Sequence, residues 1–504
     1  MFLTFYLGCG KMSSKKIYAI YFRQQKKEIK MYIDVNEFSE YSCDSDMIMA
    51  AIDKATITGE TVIIPKINKR TGSDIWDISK TIELPDDVVI ILMNCHMRLA
   101  DGVVCNMFAN KNARLKDSLS PENQQKNITI KGVGKVILDG GKHNNIYECN
   151  GIVRKKKEGQ FYMPNLNCTM YFKNVRNLTI ENVEMHNSRY WSIINTYVSH
   201  SRFSNIAFST DGNVPNQDGL DMCSGCHDII AENITGATGD NLIAMCSMGN
   251  PSGYCDDIYN ISIKNVLGYS VNGCSLIRIL NHDGRKIYNI RIDNVVDTSP
   301  WSDNDAPVAP NPDLFIRTDD DGNVLPWKRL IPGEHGYRQE ATIIIGELYW
   351  FTNKKADHGD TYGISVSNVT SHSRFALWIT NTLMDSSFDN IRVFGNGYSA
   401  VFFGEGDVEN VRFSNISYDK TAHPLKQDEH IHIEWNNTKS DGLSCVYFNN
   451  TNLKDTSFID MRCCDKMQSV FGGHGNGNIY CRNLTNKDNL TLNSAKGIEC
   501  TLLD

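Results

Sequence analysis

The chain of 504 residues has no apolar run near the roughly 18 residues that span a bilayer, so no membrane-crossing helix is expected. It also lacks a basic surplus: 51 Lys and Arg face 59 Asp and Glu, a formal net charge of −8. That balance argues against a nucleic-acid partner, which calls for a strongly basic face. An anionic sugar stays open, because a few local Arg and Lys residues override a weak global field. The opening stretch Met1–Gly10 is apolar but short, has no basic segment ahead of it, and makes no convincing signal peptide. A cytoplasmic location is therefore the expectation. The fold-like pattern begins only at Met31, and residues 1–30 are expected to be a poorly ordered or mis-started extension.

Sixteen cysteines are present, yet disulfide-type spacing is not. They spread over the whole chain, and a large repetitive core needs no staples. Several adjoin apolar residues, such as Cys246 after Met245, and read best as small buried hydrophobes. Cys223-Ser-Gly-Cys226 lacks the second ligand pair of a zinc site. No cofactor and no metal are expected.

What is present is repetition. An apolar-x-apolar-x-Asn-apolar unit appears at Leu178–Val183, Ile229–Ile234, Ile261–Val266, Ile290–Val295, Ile364–Val369 and Val411–Ile416. Each is a short strand with one apolar face, followed by an Asn where a left-handed turn residue is wanted. Gaps of 32 (265 − 233) and 29 (294 − 265) suit one coil of a solenoid, and 51 (233 − 182) and 47 (415 − 368) suit two. Helical patterns between the strands are almost missing, which excludes βαβ units. The expected fold is all-β: a single-stranded right-handed parallel β-helix over residues 31–504. Its one clear helix, Asp44 to Ala55, would cap the open N-terminal end. Strand-like pieces continue to His430-Ile-His-Ile-Glu and Cys445-Val-Tyr-Phe. A long insertion, 297–340, holds six of the 13 prolines and is expected to wall a cleft.

Three successive strands carry the candidate chemistry: Asp218-Gly-Leu-Asp221-Met222, Asp240-Asn-Leu-Ile-Ala244-Met245 and Ser275-Leu-Ile-Arg278-Ile279. With Met222, Met245 and Ile279 inward, Asp221, Ala244 and Arg278 point outward in one column. Strict alternation would bury Asp218 and Asn241, so the regular strands are expected to start only after Gly219 and Leu242. Asp218, Asp240 and Asn241 then sit on the preceding bend, where Gly219 and Gly239 suit the turn. The plainer alternative is a ladder of Asp and Asn that only stabilises turns. His227 and His282 read as solvated turn histidines.

At these residues the chain resembles glycoside hydrolase family 28, the polygalacturonases and rhamnogalacturonases of the pectin lyase-like superfamily. The resemblance covers roughly residues 31–420. It includes Gly59-Glu-Thr-Val-Ile-Ile-Pro and the stretch from Leu92 to Asp101, and is sharpest at Asn216-Gln-Asp-Gly-Leu-Asp221, the family's Asn-x-Asp-Gly-x-Asp. Gly239-Asp-Asn-Leu-Ile-Ala matches Gly-Asp-Asp-x-x-Ala at all but one fixed place, and Trp191, beside Tyr190, stands where the family often has an aromatic. Three departures accompany the match. Asn241 replaces the second Asp, the Gly-His-Gly coil reads Val271-Asn-Gly-Cys-Ser, and Arg278-Ile-Leu280 lacks the Lys of Arg-x-Lys.

The resemblance implies hydrolysis of an α-linked, pectin-type poly- or oligosaccharide, galacturonide or related, with Asp240 as acid, Asp218 as base and Asp221 beside them. Two carboxyl groups serve such a reaction when one donates a proton and the other activates water. Asn216, Asn241, Arg278, Tyr190, Trp191 and His282 would bind the sugar. Two rivals remain: a non-catalytic carbohydrate-binding β-helix of the adhesin or tail-fibre kind, and a polysaccharide lyase using Arg278 or Lys286 as base.

Overall fold

The computed structural model describes residues 32–141, 168–299 except 211, 213–215, 248–254, 272 and 282–283, then 339–346, 356–420 except 396–397, and 444–504 except 465–466 and 486–489, together with the short strands 317–318 and 324–325. The extension 1–30, the segment from His430, and nearly all of the 297–340 insertion lie outside the described residues.

Twenty-five strands, from Tyr32–Asp34 to Lys496–Leu502, join one continuous sheet whose neighbours run parallel. The architecture is the expected right-handed parallel β-helix. The repeat dictates it residue by residue. In the coil Ile229–Ile234, Ile229, Ala231 and Ile234 point into the core while Ile230 stays exposed. The chain then turns at Asn233, which takes the left-handed conformation at φ 55°, as Asn182, Asn265, Asn294, Asn368 and Asn415 do at the same place in their coils. Asn tolerates this region because its short amide bonds locally.

Here the amides also bond along the axis. Asn205 donates to Asn182 at 2.9 Å, Asn233 to Asn205 at 2.8 Å, Asn265 to Asn233 at 2.9 Å and Asn294 to Asn265 at 2.8 Å. Asn205 and Asn390 fill the two double-length gaps of the sequence, and Asn390 donates to Asn368 at 2.7 Å. Inside, like side chains stack on like: Phe388, Phe413 and Phe458 have ring centroids 4.8 and 4.9 Å apart. Burying each such side chain contributes roughly 1.5–3 kcal/mol.

The cap is a helix over Asp44–Thr58, three residues longer than the pattern suggested. Asp44 and Asp46 in its first turn oppose the helix dipole, and Gly59 ends it at φ 71° by donating to Ala55 O. Met47, Ile48, Ala51 and Ile52 cover the first coil. Asp44 is buried and held by Arg70 Nε at 2.8 Å and by the backbone N–H of Asp77 at 2.8 Å. The fourteen described cysteines are all free thiols; those at 95, 105, 168, 226, 445, 463 and 481 are buried, whereas the other seven, Cys246 among them, are half-buried.

Candidate active site

The strands Leu220–Cys223, Ile243–Ser247 and Ile277–Asn281 lie side by side on one face of the solenoid. Their register pairs Asp221 with Ala244 and Ala244 with Arg278, while Met222, Met245 and Ile279 align in the core. The outward column therefore has the predicted members. Both strands also begin after Gly219 and after Leu242 as expected, but the bend ahead of them buries Asp218 and Asn241 instead of turning them out.

Asp218 and Asn241 occupy the bend ahead of those strands. The glycines are there for space rather than for an unusual φ. A Cβ on Gly219 would meet Leu242 O at 2.4 Å, and one on Gly239 would meet the Gln217 side chain at 2.8 Å. Upstream, Arg189 pins the approach. Its buried guanidinium donates to Gly140 O at 2.7 Å, Val103 O at 2.6 Å and Ala100 O at 2.9 Å, which holds the following Tyr190 and Trp191 in place.

Asn241 is the hub. Its Nδ2 donates to Asp218 Oδ1 at 3.0 Å and to Asp240 Oδ1 at 2.8 Å, and its Oδ1 accepts from Ser275 Oγ at 2.7 Å. The Asn241 backbone N–H adds a bond of 3.3 Å to Asp218 Oδ1. One amide thus donates to two carboxyl groups at once, which an Asp at this place could not do, having one donor when protonated and none when ionised.

The cluster is more enclosed than the exterior patch expected of it. Asp218, Asp221 and Asn241 are each 3% exposed, whereas Asp240 is half-buried. Oδ2 of Asp218 and Oδ2 of Asp221 find no hydrogen-bond partner among the described residues. Burial first, and then the charge of Asp240, push the Asp218 carboxyl well above the usual range, against the pull of its Asn241 bonds and of Arg278. Burial, then Asp218 and Asp240, push Asp221 up as well. Burial works most strongly against the charge of Arg278, but Asp240, Cys274, Cys246 and Glu340 together outweigh it and hold the guanidinium above its usual range. The arrangement is a buried carboxyl cluster whose members resist ionisation, with one cation beside it.

The remaining predicted residues divide. Tyr190 is buried against Ala109, Tyr171 and Ile194, and Trp191 leans on it with ring centroids 4.4 Å apart. Ile194 pairs with Asp221, so both aromatics border the acid column. Asn216 is half-buried at φ 58°, two residues ahead of Asp218. His282 lies outside the described residues.

Two neighbours were not singled out from the sequence. Three places ahead of the paired residues Ile243, Ile277 and Ile343 stand Asp240, Cys274 and Glu340. Burial and then Asp240 push the Cys274 thiol up, so it remains a neutral group against that carboxylate. Glu340 adds to the field that holds Arg278 cationic. The signal for Glu340 existed in the column rule, but the sequence placed it at the end of an insertion and its strand, Ala341–Ile345, went unnoticed.

No curated protein matches this sequence. Among solved structures, a tailspike protein mutant of E. coli bacteriophage HK620 in complex with a hexasaccharide is 11% identical, with 94% of this chain and 78% of that one covered and a TM-score of 0.55. An exopolygalacturonase from Thermotoga maritima is 13% identical, with coverage of 97% and 96% and a TM-score of 0.44. The family 28 exopolygalacturonase of Yersinia enterocolitica is 11% identical, with coverage of 84% and 78% and a TM-score of 0.47. At such identities the likeness is one of fold, and the tailspike carries it. Residues 77–300, which bear the Asp218–Arg278 cluster, match the family model of glycosyl hydrolases family 28, the family that the two acidic motifs resemble.

Proposed function

We propose that this protein is a glycoside hydrolase that cleaves an α-linked, pectin-type poly- or oligosaccharide, galacturonide or related, by acid–base catalysis. The observation that carries the reading is the clamp of Asp218 and Asp240 by the single amide of Asn241. Asp240, the more open carboxyl, is the acid by family likeness, and it passes to the leaving oxygen the proton that the raised Asp218 carboxyl gives up on becoming the base. Asp218, deeper in the bend, takes the proton of the attacking water, with Asp221 beside it in the acid column. Arg278 binds a hydroxyl or carboxylate of the sugar, and Tyr190 and Trp191 form an apolar border. Inversion of the anomeric centre follows from the family likeness alone. The near oxygens of the clamp are held by one nitrogen, tighter than the roughly 6.5–9.5 Å between carboxyl groups of inverting enzymes.

The test is a screen of α-linked oligosaccharides for new reducing ends, with product anomers read by proton NMR. Asp240→Asn is expected to lower the rate by about 10²–10⁴. An ultraviolet-absorbing unsaturated product would mean a lyase instead. One observation favours a second reading, a carbohydrate-binding β-helix without catalysis. Asn241 stands where the family motif has a carboxylate, and the tailspike of similar fold is a hexasaccharide complex. Binding of an oligosaccharide that is never cleaved would establish it.

A further inference from the structure

A second polar column runs along the solenoid where each coil enters its next face. It too is a ladder of left-handed residues. Asn127 donates to Asp87 at 2.6 Å, Asn177 to Asn127 at 2.7 Å, Asn260 to Asp228 at 3.0 Å and Asn289 to Asn260 at 2.6 Å. Between Asn177 and Asp228 the place belongs to His200, itself left-handed at φ 53°. The register Ser199 with His227 and Ser201 with Ile229 sets His200 beside Asp228.

An imidazole cannot continue an amide ladder. Instead His200 Nε2 lies 3.9 Å from Asp228 Oδ2, and His227 Nδ1 lies 2.8 Å from the same oxygen. The three ligand-type atoms fall within 4.8 Å of one another. We propose that His200, His227 and Asp228 form a binding site for one divalent transition-metal ion of the zinc class.

The donor set of two imidazole nitrogens and one carboxylate oxygen suits borderline ions such as Zn²⁺ rather than Mg²⁺ or Ca²⁺. With bonds of about 2.0–2.2 Å, ligand atoms around a tetrahedral zinc stand roughly 3.3 Å apart. The two observed spacings bracket that value, and the exposed His200 ring needs only a small swing to meet it.

Outer contacts hold the other two ligands in place, as built metal sites require. Asn260 engages Asp228 Oδ1 and so orients the carboxylate. The His227 ring is stacked on Tyr259 at 4.7 Å and 2°, Tyr259 on Tyr288 at 5.0 Å, and Tyr288 on Tyr362 at 5.0 Å.

The site lies past the bend Ser224–Cys226, on a different face from the carboxyl cluster, and joins two adjacent coils. Its role is that of a clip between them, independent of the proposed hydrolysis.

The experiment uses untagged, chelator-treated full-length protein, dialysed against micromolar Zn²⁺ with metal counted by elemental analysis, and repeated with Co²⁺ for visible absorption. His200→Asn restores the residue type of the ladder, and His227→Phe keeps the ring stack on Tyr259, so both should fold. Wild type is expected to take up one ion with at least tenfold higher affinity than either variant, and only wild type should show the Co²⁺ bands. Uptake that is the same in all three would place the ion on thiols and overturn the assignment. So would a wild type that takes up none.

Discussion

Asn241 ties the two carboxyl groups of the proposed reaction to each other, and its bonds pull against burial at Asp218. A general base acts only when ionised. With the Asp218 carboxyl pushed up, activity should therefore fall on the acid side as pH drops through that raised value. The acidic limb of kcat/KM against pH is expected well above the ordinary Asp value of about 3.9. A limb at or below about 4 would remove Asp218 as the base. Asn241→Asp should carry the limb higher still, because it exchanges a donor for a third charge.

Asp221 leads to a stability prediction of definite sign. Its folded-state pKa is raised, so it favours folding below the ordinary carboxylate range and opposes folding as pH rises through the raised value. Asp221→Asn should thus raise the denaturation midpoint at about pH 8 and leave it nearly unchanged at about pH 3.5, in thermal melts at the two pH values. An equal rise at both would show that charge is not the cause. Lower activity in the more stable variant is the expected companion, since buried charge near reacting atoms trades stability for function.

At the scale of the single coil, the turn residue does two jobs that substitution can separate. Asn233 adopts φ 55° and links Asn205 to Asn265. Asn233→Gly keeps the backbone permissive and loses the amide rungs, whereas Asn233→Ala loses the rungs and adds about 1–2 kcal/mol of left-handed strain. Urea midpoints should rank wild type, then Gly, then Ala. These elements were largely legible from the sequence, because period-two apolarity and a left-handed Asn are local properties. The helix was legible too, although its end was not, since Thr56, Ile57 and Thr58 are all exposed and the buried apolar period stops at Ala55. Ala341–Ile345 was missed for the opposite reason: a wholly buried strand has no alternation to see.

For the whole molecule, stacking is the source of stability, and the ends are where stacking stops. No helix among the described residues is long and apolar enough to cross a membrane. The helix Asp44–Thr58 covers the first coil instead, and deleting residues 32–58 should bare Val62, Ile64 and Ile90 and leave an open strand edge. Self-association in size-exclusion chromatography and dye binding at exposed apolar surface are the expected results. A monomeric, stable product would mean that the coils need no cap at this end.

The sequence by itself determined the repeat, the inward and outward columns and the identity of the acidic residues. Each of these follows from the chemistry of a few neighbouring positions. Tertiary structure alone decided how deeply Asp218 and Asp221 are buried, that Asn241 spans both acids, and that His200 meets Asp228 across a coil boundary. These depend on how one coil settles on the next, and side-chain distances between stacked coils are set by the length of each intervening bend, which no local pattern encodes.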